Sequence, residues 1–216
     1  MKTVTTLNTK LRTKIQAKID GKTKPIGALG QVEAIALQLA LISQQRLGND
    51  HALEQIQLSQ PLMLVFAGDH GINKHNLSIA PSEVTGQMVT NFLHGGAAIN
   101  CFCRSNNIDF KVVDCGILTA VAQDELFKCV LIKQRLGAGT QDFSIQAAMT
   151  SLQVEQGLAY GKKIVDCSIE QGLDILLLGE MGIANTSSAS AIMAALTHHN
   201  VRDCVGVGTG ISSQQL

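Results

Sequence analysis

The sequence predicts an α/β protein: a doubly wound, mainly parallel sheet flanked by helices over residues 61–216, with a small helical annex over residues 1–60. Three observations predict it. Short apolar runs of the length of buried parallel strands recur at 62–67, 110–113, 175–178 and 204–208. Each empties into a glycine-bearing loop: Gly68-Asp69-His70-Gly71, Asp114-Cys115-Gly116, Gly179-Glu180-Met181-Gly182 and Thr209-Gly210. Helix-like segments near 82–104 and 145–170 lie between the runs, the alternation that a parallel sheet needs.

With 45% hydrophobic residues, a chain of 216 residues carries enough apolar side chain for one sizeable domain and an annex. Lysine plus arginine equals aspartate plus glutamate at 17 each, which argues against a polyanion or an acidic membrane surface as partner. Aromatic content of 3%, with no basic run interleaved by aromatics, argues against nucleic acid. The six cysteines (101, 103, 115, 129, 167 and 204) form no C-x-x-C pair and read as thiols of a reducing cytosol. The first residues, M-K-T-V-T-T-L-N-T-K, contain no apolar leader, and no apolar window reaches the roughly 18 residues of a membrane span. The expectation is a soluble cytoplasmic protein with a small ligand.

In chain order, Leu7, Leu11, Ile15 and Ile19 at a spacing of four predict an amphipathic helix over residues 1 to about 20. Asp20-Gly21 ends it, and Pro25, Gly27 and Gly30 make 22–30 a loop. From Gln31 a second helix is predicted, with Val32, Ile35, Ala36, Leu39 and Ile42 on one face, and the polar 44–60 is a surface connection. A doubly wound sheet binds ligands beyond the carboxyl ends of its strands, so Asp69, His70, Asp114, Glu180 and Thr209 should share one rim.

Asp69 beside His70 reads in two ways. The pair suits a metal site or the acid/base pair of a phosphohydrolase; equally, Asp69 caps a turn and His70 packs against it. His51, His75, His94, His198 and His199 read as surface residues, and neither a metal nor a cofactor is called for. In 82–104, Pro81 suits the first turn and Glu83 the positive end of the helix dipole, while Val84, Met88, Phe92 and Ile99 suit either core or the wall of a pocket for a flat apolar ring. Gly95-Gly96-Ala97-Ala98 within it implies close approach to a neighbouring element or to a second chain. Cys101 and Cys103, two apart on a helix, face different ways.

The stretch 174–195 reads as strand, glycine turn and helix. Asn185, Thr186, Ser187 and Ser188 crowd the predicted helix start, which is either an ordinary well-capped turn or a phosphate cradle of free N–H groups and hydroxyls.

Several stretches, in this order, resemble one family, the nicotinate-nucleotide:dimethylbenzimidazole phosphoribosyltransferases of the lower-ligand branch of cobalamin synthesis. They are K-P-I-G-A-L-G-Q-V-E at 24–33, F-A-G-D-H-G-I at 66–72, A-P-S-E-V-T-G-Q-M-V-T-N-F-L-H-G-G-A-A-I-N at 80–100, V-V-D-C-G-I at 112–117, G-T-Q-D-F at 139–143, A-M-T at 148–150, G-E-M-G-I-A-N-T-S-S-A at 179–189 and G-V-G-T-G at 206–210. The resemblance implies a homodimer that moves ribose phosphate from nicotinate mononucleotide to a benzimidazole nitrogen, releasing nicotinate and inverting the anomeric carbon. Glu180, Gly182, Ala184, Asn185, Thr186 and Ser187 carry over as phosphoribosyl contacts, and Asp69, Ala80, Pro81, Val84 and Met88 as the base pocket. Some relatives have serine and glutamine where this chain has Ala80 and Met88, so the preferred base is expected to differ. The family's catalytic glutamate lies past the position of Leu216, leaving Glu180 as the in-chain carboxylate to weigh and a truncated chain as the expectation. Two rival readings remain: a module that binds a phosphorylated nucleotide without chemistry, and a metal-dependent phosphohydrolase built on Asp69 and His70.

Overall fold

The computed structural model describes residues 5–47, 56, 58–122, 124–208 and 210–212. The chain forms two compact units, Met1–Ser59 and Gln60–Leu216. In the first, helices α1 (Arg12–Asp20) and α2 (Gln31–Leu47) pack through Ile15, Leu37, Ala40 and Leu41, with Leu7, Leu11 and Ile19 around them. The helix predicted from residue 1 begins only at Arg12, so Leu7 and Leu11 reach the core from the chain leading into it.

The face of α2 also differs from expectation. Val32, Ile35 and Ile42 are 60%, 55% and 45% exposed, and the buried side is Glu33, Leu37, Ala40, Leu41 and Ser43. The helix carries apolar residues on two sides, and the side bearing small Ala40, which permits close approach, is the one packed on α1. Glu33 is tolerated there because Lys24 Nζ lies 2.7 Å from its Oε1 and Leu29 N–H donates to it at 3.0 Å. Lys24 and that N–H hold the Glu33 carboxyl below its usual range. Beyond α2, residues 48–55 and 57, His51 among them, lie outside the described residues.

The second unit holds four parallel strands, β1 (Pro61–Gly68), β2 (Asp109–Gly116), β3 (Val130–Lys133) and β4 (Ile175–Met181), in the order β3-β2-β1-β4. Side chains on β1 alternate strictly. Met63, Val65 and Ala67 join Val89, Phe92, Leu93 and Cys103 from α3 (Glu83–His94) and α4 (Ala98–Ser105) in one core. Leu62 and Leu64 join Val113 and, from α5 (Ser151–Glu170), Ile164 in another. The sheet is therefore covered by helices on both faces, as a doubly wound fold requires.

Three boundaries correct the sequence reading. The strand expected at 204–208 is absent; α7 (Val201–Cys204) precedes irregular chain, and Thr209 lies outside the described residues. Gly206 and Gly208 bring no side chains to a ladder, and Gly208 takes φ 51°, a left-handed conformation that no strand accommodates. The fourth strand is instead β3, the run V-L-I-K. The predicted helix 82–104 breaks in two: Gly95 ends α3 at φ 77°, and Asn100 staples the halves, its Oδ1 accepting from Ala97 N (3.1 Å) and its Nδ2 donating to Phe92 O (3.0 Å). That turn accounts for the two glycines. Finally, α5 starts at Ser151 rather than 145, because Thr150 and Gln153 form a capping box, with Gln153 N donating to Thr150 Oγ1 (3.2 Å) and Thr150 N to Gln153 Oε1 (2.9 Å).

Among the described residues no helix is long and apolar enough to cross a membrane. The six cysteines are free thiols, Cys101 exposed and Cys103 buried. Leu64, fully buried at the centre of β1, is the residue on which the α5-side core closes; Leu64→Ala is expected to lower unfolding free energy by about 2–5 kcal/mol in a urea titration.

Candidate functional site

Strand order reverses between β1 and β4, so the chain leaving each strand turns to an opposite face and a crevice opens between them. After β1 come Asp69, His70 and a single 3₁₀ turn, Gly71–His75. After β4, Gly182-Ile183-Ala184 leads into α6 (Asn185–Thr197). The two exits touch. A Cβ at position 182 would collide with the Gly68 carbonyl oxygen and stand 2.7 Å from the His70 ring, so only glycine fits. From the other face, buried Thr85 on α3 accepts a hydrogen bond from Ile183 N at 3.1 Å.

The start of α6 is not capped as the sequence suggested. The N-cap position falls on Ala184, at φ 67° and with no side-chain cap, while Asn185, Thr186, Ser187 and Ser188 lie inside the first turn. Two of them are engaged elsewhere: Asn185 Nδ2 donates to Glu180 Oε2, and Ser188 Oγ sits 2.8 Å from His70 Nδ1. A left-handed alanine costs roughly 1–2 kcal/mol. In return, the positive end of the helix dipole is left uncovered by any side-chain cap. Gly182, Ala184, Asn185, Thr186 and Ser187 line a cavity of about 410 Å³ whose other walls include Ile72, Leu77, Phe143 and Val207. A polar, electropositive end with apolar walls suits an anion attached to a flat ring.

A second cavity, of about 180 Å³, is lined by Asp69, His70, Thr140, Gln153 and Glu180. The adjacent Asp69 and His70 have separate partners. Asp69 is buried and its Oδ2 accepts from Leu118 N (2.7 Å), holding the turn after β2, whereas His70 Nε2 lies 3.1 Å from Glu180 Oε1. The pair on which a phosphohydrolase would rest is therefore split, and among the described residues no three His, Cys, Asp or Glu side chains gather as a metal ion requires. Asp114 is likewise committed to the scaffold. Its Oδ1 accepts from Gly116 N and Ile117 N, and its Oδ2 pairs with Arg135 at 2.7 Å. Cys115 lines the smaller cavity, but burial first, then Asp114 and Glu180, push its thiol up to about 11, so it stays protonated and a poor nucleophile.

Of the predicted rim, Asp69, His70 and Glu180 line one cavity, whereas Asp114 is buried near the end of β2 and, like Ala80, Pro81, Val84 and Met88, lines neither. Met88 packs against the sheet core instead. Ile72, Leu77 and Phe143 occupy the wall, and only Ile72 and Phe143 sat within recognisable motifs. His75, at the surface as expected, also reaches Asp142 Oδ2 at 2.7 Å, and Ser144 N and Oγ donate to Asp142 Oδ1 at 2.9 and 2.7 Å. This clasp ties the turn after β1 to the loop carrying Phe143. The Ser144 hydroxyl first, then its N–H and His75, outweigh the cost of burial and hold the Asp142 carboxyl below its usual range.

Fold and site together define a doubly wound α/β protein with a polar crevice at its switch point. A family profile described as “Phosphoribosyltransferase” matches residues 4–216. The nicotinate-nucleotide–dimethylbenzimidazole phosphoribosyltransferase of Vibrio parahaemolyticus is 58% identical over 205 residues, covering 94% of this chain and 58% of the relative. The protein of the same name from Photobacterium profundum is 56% identical over 216 residues, covering 100% and 60%. The crystal structure of CobT from Thermus thermophilus superposes with a TM-score of 0.81 at 33% identity, covering 95% of this chain and 58% of that one. The chain belongs to the nicotinate-nucleotide–dimethylbenzimidazole phosphoribosyltransferase family. It spans about three fifths of the length of these curated relatives.

Two outcomes follow from the geometry. Gly182→Ala is expected to cost about 1–3 kcal/mol of stability, measured by chemical denaturation, because backbone at Gly68 must move. Because the folded Asp142 carboxyl titrates low, its contribution is fully present above the ordinary aspartate value of about 3.9 and is lost as pH falls through its lower folded value. Ser144→Ala removes the largest cause, so in acid-denaturation curves the variant should lose stability at higher pH than the parent.

Proposed function

We propose that this chain supplies the phosphoribosyl side of a transferase that moves the phosphoribosyl group from nicotinate mononucleotide to 5,6-dimethylbenzimidazole or a related base, giving nicotinate and α-ribazole 5′-phosphate for cobalamin biosynthesis in the cytoplasm. The observation that carries this reading is the uncapped start of α6 opening into the larger cavity at the switch point. The names of the relatives support the substrates.

In this reading the 5′-phosphate sits on the first turn of α6, against the backbone of Gly182 and Ala184 and the side chains of Asn185, Thr186 and Ser187. Glu180, held by His70 and Asn185, accepts a hydrogen bond from a ribose hydroxyl. We assign the apolar wall facing a ring to Ile72, Leu77 and Phe143, which line the cavity, in place of the 80–88 turn. The azole nitrogen lone pair attacks C1′ on the face opposite the departing ring. The C1′–N bond to nicotinate breaks, its electron pair leaves with nicotinate, the β configuration becomes α, and the azole N–H proton passes to a carboxylate. Fixing the phosphate and both rings turns a two-molecule encounter into an aligned displacement, which can remove up to roughly 7–11 kcal/mol of the barrier. A homodimer belongs to the same reading, and the exposed apolar residues Val32, Ile35 and Ile42 on α2 support it.

The test is calorimetric titration with nicotinate mononucleotide together with a nicotinate-release assay in the presence of 5,6-dimethylbenzimidazole, on this chain and on a form continued to the length of its relatives. Saturable binding competed by inorganic phosphate, with base-dependent nicotinate release in the continued form, is the expected result. No binding by either form would overturn the reading.

A further inference from the structure

We infer that His70 is the positioning residue of the crevice: its imidazole holds the Glu180 carboxylate in the one orientation that meets a sugar hydroxyl beside the phosphate cradle. The ligand named here rests on the function proposed above; the positioning itself rests on geometry. A carboxylate only accepts, so at 3.1 Å from Glu180 Oε1 the His70 Nε2 carries the hydrogen. In the neutral ring Nδ1 then accepts from the Ser188 hydroxyl at 2.8 Å; the hydroxyl can serve either tautomer, so the Glu180 carboxylate is what selects this one. The second Glu180 oxygen takes Asn185 Nδ2. One donor from the end of β1 and one from α6 thus fix both oxygens, while the Glu180 side chain stays 44% exposed and keeps lone pairs for a ligand. The ring itself has little room to shift, because it lies against Gly182 where no Cβ fits and its side chain is only 18% exposed. Ser188 lines neither cavity, so serine, histidine and glutamate here form a support and not a nucleophile set.

The variants His70→Gln and His70→Ala, made in the whole chain, separate support from mere filling. A glutamine amide restores a donor to Glu180; alanine does not. His70→Ala is expected to weaken nicotinate mononucleotide binding by about 10- to 100-fold, the value of a hydrogen bond to a charged group, and His70→Gln to recover most of it. Inorganic phosphate, which meets α6 but not Glu180, should keep its affinity in both. Equal loss for phosphate and mononucleotide, or a glutamine variant no better than alanine, overturns the inference. A ligand-free arm stands apart from the functional reading: in mildly alkaline solution ¹⁵N NMR should show His70 as the single Nε2–H tautomer, becoming a mixture in Glu180→Ala. An imidazole that ignores Glu180→Ala overturns the inference even where the mononucleotide binds, and the predicted response sustains it even where the mononucleotide does not.

Discussion

The passage of Gly182 against the Gly68 carbonyl is the contact on which the rest of the crevice depends. Parallel pairing sets Ala67 opposite Met181, so β1 and β4 end side by side and their continuations must separate to opposite faces of the sheet. A residue without a side chain lets the two backbones touch before they part. Every polar group that follows is placed relative to that touch: Ile183 hangs from Thr85, Glu180 from His70, and the axis of α6 is set by Ala184.

Around this contact the carboxylates divide by task. Asp69, Asp114 and Asp142 are buried and accept from backbone N–H groups, from Arg135 or from Ser144, so each stabilises a turn at the strand ends. Glu180 alone among these four remains substantially open. The rim is thus stiffened by buried acids committed to its turns, and the larger cavity is lined by backbone and neutral side chains, with no carboxylate among them. An acidic rim would otherwise repel a phosphate at close range.

Much of this was legible in the sequence, for physical reasons that also mark where legibility ended. β1, β2 and β4 announced themselves as short apolar runs of strand length; β1 and β2 are buried at their centres, whereas β4, at the sheet edge, leaves Leu178 exposed. The turn into α6 was legible from glycine followed by small polar residues, although the cap was not, since no propensity rule places alanine in a left-handed conformation. β3 was missed because four residues at a sheet edge carry too little pattern, and Val205 and Val207 drew attention in its place. The buried side of α2 could not be chosen from periodicity when both sides carry apolar residues; the partner helix decided it. His70 and Glu180, 110 residues apart, are joined only by topology.

The same topology bears on how the chain acquires its structure. β1 sits at the centre of the sheet with β2 and β4 as neighbours, and its link to β4 spans 114 residues, as in the bond from Gln60 N to Asp174 Oδ1. At a ribosome adding about 5–20 residues per second, β1 leaves the exit tunnel roughly 6–23 seconds before its second neighbour does. Through that interval an apolar strand presents a bare ladder of N–H and C=O groups, the surface most prone to pair with another nascent chain. Contacts of such sequence separation also form late in refolding. The crevice, whose two sides are β1 and β4, is therefore completed only with the last of these four strands, and β1 keeps one edge open to mispairing until then.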